Sequence, residues 1–504
     1  MTQRARHKAQ GTKVDALARA DWQAIKTLGI RRLVNDSRAV KPGDTFVAYP
    51  GLARDGRDYI GQAIANGATS VLWERAGFDW SPRWRVPHLG VRDLRRRAGE
   101  ISSWVHGRPS ARLRVIGVTG TNGKTTCSQW IAQALTRAGR DCAVIGTLGS
   151  GMRAPLKPLP NTTPDALSLH AQLAEFSRRG AQAVAMEVSS IGLEQDRVAG
   201  VEFDVALFTN LTRDHLDYHR SMRRYRAAKA RLFAWETLRH AVVNLDDDFG
   251  AALARRIRRP GLKVISYGFN ARRGARVAGF NLVTGARGVS FDVRTPWGSA
   301  HVVSPALGRH NAYNLLGTLA VLLASGVALR KAVAALSQLK PVPGRMQALG
   351  GGANPLVVVD YAHTPDALKQ VLTTLRELLE PRATSHEPRL TCVFGCGGNR
   401  DRGKRPQMGR VVAGLADRLV VTSDNPRNEN PRAIIDDIVA GMRAAQEIVI
   451  EADRRKAIRR AVGAARRGDI VLVAGKGHEA YQEIRGIRRP FSDAAAAKEA
   501  LAGR

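Results

Sequence analysis

The ten residues Gly117-Val118-Thr119-Gly120-Thr121-Asn122-Gly123-Lys124-Thr125-Thr126 have the types and spacing of a phosphate cradle. Glycines let the backbone turn tightly and point N–H groups inward, a lysine reaches the terminal phosphates, and the adjacent hydroxyl can hold Mg²⁺. On this reading Gly120, Thr121, Asn122, Gly123, Lys124, Thr125 and Thr126 bind a nucleoside triphosphate. The strict P-loop spacing has glycine where Val118 stands, so the match is to a variant of that loop. Such a loop needs a strand before it and a helix after it. The apolar run Arg114-Val115-Ile116 precedes it, and a helical pattern from Lys124 to Arg137, ended by Gly139, follows.

Other chemistry-bearing residues also stand at the ends of apolar runs. Met186-Glu187-Val188-Ser189-Ser190 puts a carboxylate at the carboxyl edge of a strand, where α/β sheets bind ligands and where Glu187 can share Mg²⁺ with Thr125. A solvated glutamate is the plainer reading of that motif alone. Thr209 to His219 packs His215, His219, Asp214 and Asp217 into a short stretch able to meet metal or phosphate. Downstream, Asp360-Tyr361-Ala362-His363-Thr364-Pro365, Gly395-Cys396-Gly397-Gly398-Asn399-Arg400-Asp401, Asp424-Asn425-Pro426-Arg427 and Gly475-Lys476-Gly477-His478-Glu479 each follow a predicted strand. Any one could be a loop. Together they predict the rim of an active site on one edge of one sheet.

The elements that must position these residues alternate strand and helix, which predicts an α/β fold with mostly parallel sheets covered by helices. Strand signals occur at Thr45 to Ala48, Ser70 to Trp73, Ala183 to Val188, Val205 to Leu211 and Ala241 to Leu245, with a helix from Asn311 to Ala324. Leu356 to Asp360, Leu390 to Phe394, Arg418 to Thr422 and Ile470 to Ala474 predict a second, Rossmann-like sheet. A basic, polar segment before the P-loop and the turn Pro341-Val342-Pro343-Gly344 divide the chain into three domains, at 1–110, 111–341 and 342–504.

A length of 504 residues suits several cores rather than one. The early basic residues Arg4, Arg6 and Lys8 are not followed by an apolar run, so no secretory signal is expected, and no stretch approaches membrane-spanning length. Four scattered cysteines suit a reducing cytoplasm. The net charge of +35 invites a polyanionic partner. Its arginines are dispersed and lack interleaved aromatic residues, so a solvated basic surface is the favoured reading and no specific nucleic-acid partner is expected.

Taken in order, the motifs resemble one family, the Mur ligases, which build the peptide stem of peptidoglycan. The resemblance runs from Asp36-Ser37-Arg38 to Gly477-His478-Glu479 and includes Asn161-Thr162-Thr163, Tyr225-Arg226-Ala227-Ala228-Lys229 and His310-Asn311 with Asn314. It implies a small N-terminal uridine-binding domain, a central P-loop ATPase domain and a C-terminal amino-acid-binding domain. It implies phosphoryl transfer from ATP, with Mg²⁺, to the D-glutamyl carboxylate of UDP-N-acetylmuramoyl-L-alanyl-D-glutamate, followed by attack of an amine on the acyl phosphate. Lys124 would stabilise the moving phosphoryl group. Thr125, Glu187, His215 and Lys229 would serve the metal ions, Lys229 after carbamylation by CO₂; read without the family, Lys229 is a surface helix lysine. Asn311 and Arg345 resemble adenine- and phosphate-contacting positions, and Asp360 the ribose partner. Ser37 and Arg38 would lie near the uridine diphosphate. Thr162, Thr163, Ser189, Gln195 and Arg197, with Asn161 in the same motif, resemble contacts to the muramoyl peptide.

The resemblance also implies the amino acid. Diaminopimelate carries one carboxylate more than lysine, and Arg427 would take it with two parallel hydrogen bonds. Arg400, Asp424, Asn425, Pro426, Gly475 and Glu479 would complete a pocket for the meso isomer. Ile191 stands where the family usually has histidine, and Asn399 replaces a common aspartate. A soluble, cytoplasmic monomer is expected. Two rivals are a P-loop ATPase acting on nucleic acid and a folylpolyglutamate synthase-like ligase. The strand-end motifs disfavour the first, and the Asp-Asn-Pro-Arg motif and N-terminal segment disfavour the second.

Overall fold

Three large sheets organise the protein in a computed structural model that describes residues 19–51, 54–285, 287–379, 387–442 and 448–504. Arg4, Arg6 and Lys8 lie outside those residues. The chain forms two compact units. One runs up to Arg114 and takes in Thr163–Gly180 and Ser190–Glu202; the other comprises Val115–Thr162, Ala181–Ser189 and Phe203–Arg504.

The first unit is built on a four-stranded parallel sheet in the order Leu33–Val34, Thr45–Ala48, Ser70–Glu74, His88–Val91. Thr45–Ala48 and Ser70–Glu74 are buried at every position, the signature of parallel strands covered on both faces. The helix Leu94–Val105 packs against the helix Ala166–Arg178. At Gly99 the chain passes so near the Ala199 carbonyl that a Cβ would collide with it.

The second unit contains a ten-stranded sheet and a six-stranded sheet. In the larger, the P-loop strand Arg114–Thr119 lies between Val205–Phe208 and Ala183–Glu187, so the ends of all three strands meet around the loop. Cys142–Gly146 flanks them on one side, and His240–Asn244 and Lys263–Gly268 on the other. The antiparallel strands Val277–Gly285, Gly288–Thr295 and Gly298–Ser304 extend the sheet beyond its parallel part. The helix Arg309–Ala324 is apolar nearly all round and buried over most of its length, as a helix enclosed by protein must be. It packs against the P-loop helix Lys124–Arg137, whose bounds match the sequence expectation.

The six-stranded sheet runs Gln347–Gly350, Leu356–Asp360, Ile470–Ala474, Leu390–Phe394, Arg418–Val421, Ile448–Ile450. All neighbours are parallel except the first pair. The four strands read as apolar runs from the sequence therefore lie side by side, and their carboxyl ends carry the four predicted motifs to one edge.

Candidate active site

The P-loop begins where the strand Arg114–Thr119 ends. A Cβ on Gly120 would collide with Thr209 Oγ1, and Gly123 holds φ +84°, a left-handed conformation that glycine adopts without strain. Lys124 Nζ donates to the Gly120 carbonyl at 2.9 Å and the Thr121 carbonyl at 2.8 Å. Burial pulls its pKa below the usual lysine range, against the carboxylates of Glu187 and Asp214. Thr125 Oγ1 donates to Glu187 Oε2 at 2.9 Å, so the loop hydroxyl and the strand-end carboxylate sit side by side as predicted. Thr147 also holds that carboxylate: its N–H donates to Oε1 at 2.7 Å and its hydroxyl to Oε2 at 3.2 Å. A Cβ on Gly146 would strike Glu187 Oε1, so glycine there makes the room.

Lys229, on the helix Met222–Ala230, is 1% exposed and is no surface lysine. Its Nζ donates to the Gly120 carbonyl at 2.7 Å and lies 4.5 Å from the centre of the Tyr225 ring. Burial and the neighbouring Lys124 push its pKa well below the usual value, against the pull of Asp214. The Tyr225 hydroxyl is 3.1 Å from Thr121 Oγ1, tying this helix to the P-loop. His215 holds φ +51° and places Nε2 3.5 Å from Asp214 Oδ2, with a side chain 44% exposed. Burial lowers its pKa, with Lys124 and Lys229 acting in the same direction.

Arg345 links the P-loop to the edge of the six-stranded sheet. One guanidinium nitrogen donates to Thr125 Oγ1 at 3.3 Å, and the group lies 4.7 Å from the centre of the Tyr361 ring. Asp360 ends the strand Leu356–Asp360 and accepts from the N–H groups of Met346 and Ala362 at 2.7 and 2.8 Å. Burial raises its pKa while Arg345 lowers it. Asn311 Nδ2 donates to the Leu307 carbonyl at 2.9 Å, and its Oδ1 accepts from Asn314. Asn311 and Arg345 line one cleft together with Trp130, Lys340, Pro341 and Met346.

The remaining strand ends build a second polar cluster. Asp424 and Asn425 are buried beyond the strand Arg418–Val421, and Pro426 is buried beside them. Asn425 Nδ2 donates to Glu479 Oε2 at 2.8 Å, and Gly475, at φ +116°, packs so that a Cβ would meet Asp424 Oδ2 at 2.5 Å. Arg427 donates to the Gly398 carbonyl at 2.7 Å and lies 3.7 Å from Glu483. Arg400 is exposed next to Asn399, which holds φ +53°. Asparagine tolerates that left-handed conformation, and its Oδ1 accepts from the Asn428 N–H at 3.1 Å.

In the first unit Ser37 is buried and donates to Gln62 Oε1 at 2.8 Å, whereas Arg38 is exposed and paired with Asp36 at 2.8 Å. The structure brings Thr163, Gln195 and Arg197 together there: Arg197 donates to the Thr163 carbonyl at 2.9 Å and to Gln195 Oε1 at 2.7 and 3.0 Å. Ile191 sits on the short helix Ser190–Glu194 of that unit. Asn161, Thr162 and Ser189 belong to the second unit, where Thr162 Oγ1 is 3.0 Å from Thr147 Oγ1.

Three segments match family descriptions in succession: residues 29–104 the "Mur ligase family, catalytic domain", 118–322 the "Mur ligase middle domain" and 344–477 the "Mur ligase, glutamate ligase domain". A Nitrosomonas europaea protein named UDP-N-acetylmuramoyl-L-alanyl-D-glutamate–2,6-diaminopimelate ligase is 50% identical over 94% of this chain and 93% of its own length. The chain belongs to the Mur ligase family. A Chromobacterium violaceum protein of the same name is also 50% identical, over 97% of this chain and 98% of its own. A solved structure titled with that name superposes with a TM-score of 0.69 at 37% identity, covering 94% of this chain and 95% of that one. The fold is accordingly that of a three-domain Mur ligase.

Sequence reasoning gave no role to several groups that this site uses. Tyr225 had a signal, its four-residue spacing from Lys229 on a helix. Thr147 had none, because nothing local marks a threonine as the partner of a carboxylate forty residues on.

Proposed function

We propose that the protein is an ATP-dependent ligase that joins meso-diaminopimelate to UDP-N-acetylmuramoyl-L-alanyl-D-glutamate in the cytoplasmic synthesis of peptidoglycan precursors, acting as a monomer. The observation that carries this reading is the 50% identity to a relative named for that reaction over 94% of the chain. The described residues contain no helix long and apolar enough to cross a membrane.

The chemistry follows from charge. ATP's γ-phosphate and a carboxylate repel one another, so the protein must neutralise and align them. The D-glutamyl γ-carboxylate attacks the γ-phosphorus, the bond to ADP breaks, and an acyl phosphate forms. The amine of diaminopimelate then attacks the acyl carbon, loses a proton, and inorganic phosphate leaves. Lys124, held against the P-loop, brings positive charge to the moving phosphoryl group. Arg345 approaches the same phosphates from the other sheet, and Asp360 suits a ribose hydroxyl.

A hydroxyl and a carboxylate in contact, Thr125 and Glu187, are hard oxygen donors that fit Mg²⁺. Among the described residues no three His, Cys, Asp or Glu side chains form a metal set. Thr125 and Glu187 would hold that ion, with His215 and a carbamylated Lys229 serving a second; Mg²⁺ neutralises charge on the phosphate oxygens. Thr163, Gln195 and Arg197 would meet the muramoyl peptide, and Ser37 and Arg38 the uridine diphosphate. Arg427 and Arg400 would take the distal carboxylate of diaminopimelate, and Asp424 and Glu479 its ammonium groups.

Phosphate release from ATP and Mg²⁺ in the presence of the UDP-muramoyl dipeptide tests this directly, with meso-diaminopimelate or L-lysine added in parallel. Turnover with diaminopimelate alone is expected. Equal turnover with lysine would refute the part given to Arg427, and no turnover with either would refute the ligase reading.

A further inference from the structure

The loop after the strand Ile470–Ala474 contains a lysine that the reaction scheme leaves without a task. The Lys476 side chain is 0% exposed. Its Nζ donates to Asn425 Oδ1 at 3.0 Å and to Glu479 Oε2 at 2.9 Å, and lies 5.5 Å from the centre of the Tyr481 ring. Asn425 Nδ2 donates to the same Glu479 oxygen at 2.8 Å, and the Glu483 N–H donates to Asn425 Oδ1 at 2.9 Å. Two protein donors thus occupy Glu479 Oε2 and fix the carboxylate, leaving Oε1 to meet a ligand. Lys476, being enclosed, acts on a ligand only through Asn425 and Glu479.

Its charge matters as much as its hydrogen bonds. Around this cluster stand the cations Arg400, Arg427, Lys476 and Arg488, with Arg345 beside Tyr361 and His478, and the carboxylates Asp424, Glu479 and Glu483. The nearby Arg454 is cancelled by Asp493, with which it forms a fully buried pair at 2.7 Å. Diaminopimelate is neutral, because its two ammonium groups and two carboxylates cancel. Lysine carries one carboxylate fewer and is a net cation. Losing Lys476 would shift the cluster by one charge towards the negative, which suits lysine better and diaminopimelate worse.

Resting on the ligase reading above, we propose that Lys476 is a positioning residue that sets amino-acid choice: it neutralises and aims Glu479, so that the pocket favours a neutral diamino diacid over a cationic diamino monoacid. Arg427 attracts the extra carboxylate, and Lys476 removes the negative charge that would otherwise recruit lysine.

The test compares kcat/KM for meso-diaminopimelate and for L-lysine at saturating ATP in the wild type, Lys476→Met, Lys476→Arg and the double variant Lys476→Met with Glu479→Gln. Lys476→Met is expected to lower the preference for diaminopimelate by about tenfold or more. Lys476→Arg keeps the charge and should keep most of the preference, and the double variant, which restores the wild-type net charge, should recover preference even if its rate stays low. Equal losses with both substrates in Lys476→Met, or no recovery in the double variant, would overturn the proposal and leave Lys476 a packing residue. If Lys476→Met turns over too slowly to read, calorimetric binding of the two amino acids gives the same ratio, and an unchanged ratio overturns the proposal equally. The wild-type arm stands apart: no turnover with diaminopimelate there refutes the ligase reading itself, whereas normal wild-type turnover with an unchanged ratio in the variant refutes only the role of Lys476.

Discussion

Replacing Thr125 with valine keeps the shape of a side chain only 4% exposed and removes a single hydroxyl. That hydroxyl donates to Glu187 Oε2 at 2.9 Å and accepts from Arg345 at 3.3 Å, so one atom joins the P-loop to a strand-end carboxylate and to the second sheet. A hydrogen bond to a charged partner is worth roughly 1.5–3 kcal/mol. Glu187 would keep both Thr147 donors, at 2.7 and 3.2 Å, so its carboxylate is not orphaned and the loss falls near the lower end, about 1.5 kcal/mol. The effect on turnover should be larger, because the hydroxyl would also serve the metal at the transferring phosphate: about 10²–10³-fold in kcat, the usual cost of one preorganised electrostatic contact. Urea unfolding and phosphate-release kinetics read the two effects separately. Thr125→Ser restores the hydroxyl and should recover most of both losses, and a cycle with Glu187→Gln should show a coupling of about 1 kcal/mol. Were valine and serine to behave alike in both assays, the hydroxyl would have no special part and the placing of metal and phosphate here would be wrong.

Three further outcomes follow from particular contacts. On the role proposed for Arg427, Arg427→Met should remove two charge-assisted hydrogen bonds to the distal carboxylate, together about 3–6 kcal/mol, and lower kcat/KM for diaminopimelate by about 10²–10⁴-fold in the phosphate-release assay. Arg454→Met should destabilise the second unit by about 3–5 kcal/mol, because it strands the fully buried Asp493; adding Asp493→Leu should recover most of that loss in urea titrations. His170 donates its Nε2–H to the Ala199 carbonyl at 2.9 Å, while its Nδ1 is enclosed without a partner, so burial pushes its pKa down to about 4. The unfolded chain then binds the proton more readily than the folded one. Stability is full above the ordinary histidine pKa and falls as the pH drops towards about 4, by up to about 3 kcal/mol, and His170→Gln should flatten that slope in unfolding measured across the window.

The six-stranded sheet was legible in the sequence because its strands are buried on both faces. Leu356–Asp360, Leu390–Phe394 and Ile470–Ala474 are near-continuous apolar runs, and each ends in a glycine- or charge-bearing motif. The antiparallel extension of the larger sheet was harder to see. Gly288–Thr295 alternates as a half-buried strand should, with Val289, Phe291 and Val293 inside. Its neighbours blur the pattern by showing Phe280, Val283 and Val303 on the exposed face, 43%, 63% and 54% accessible. The sequence also shows no reason for Thr163–Gly180 and Ser190–Glu202 to join the first unit. That assignment rests on contacts between distant residues, such as Gly99 with Ala199, and a periodicity cannot contain them.

Lys229 marks where local pattern gives way to packing. Tyr225 and Lys229 stand four residues apart on the helix Met222–Ala230, so they must share one face. An amphipathic helix normally turns such a lysine to water, and Arg223, Arg224 and Arg226 do face outward. Tyr225 is 0% exposed, however, and its hydroxyl reaches Thr121, so the face that buries the tyrosine carries Lys229 inward with it. There the ammonium meets the Gly120 carbonyl and an aromatic face, two weak substitutes for water, close to the positive Lys124. Such surroundings disfavour the charged form and favour a neutral amine, the form that can react with CO₂. The sequence supplied the spacing and the residue type. The reversal of the usual rule for lysine comes from the P-loop packed against that same face of the helix.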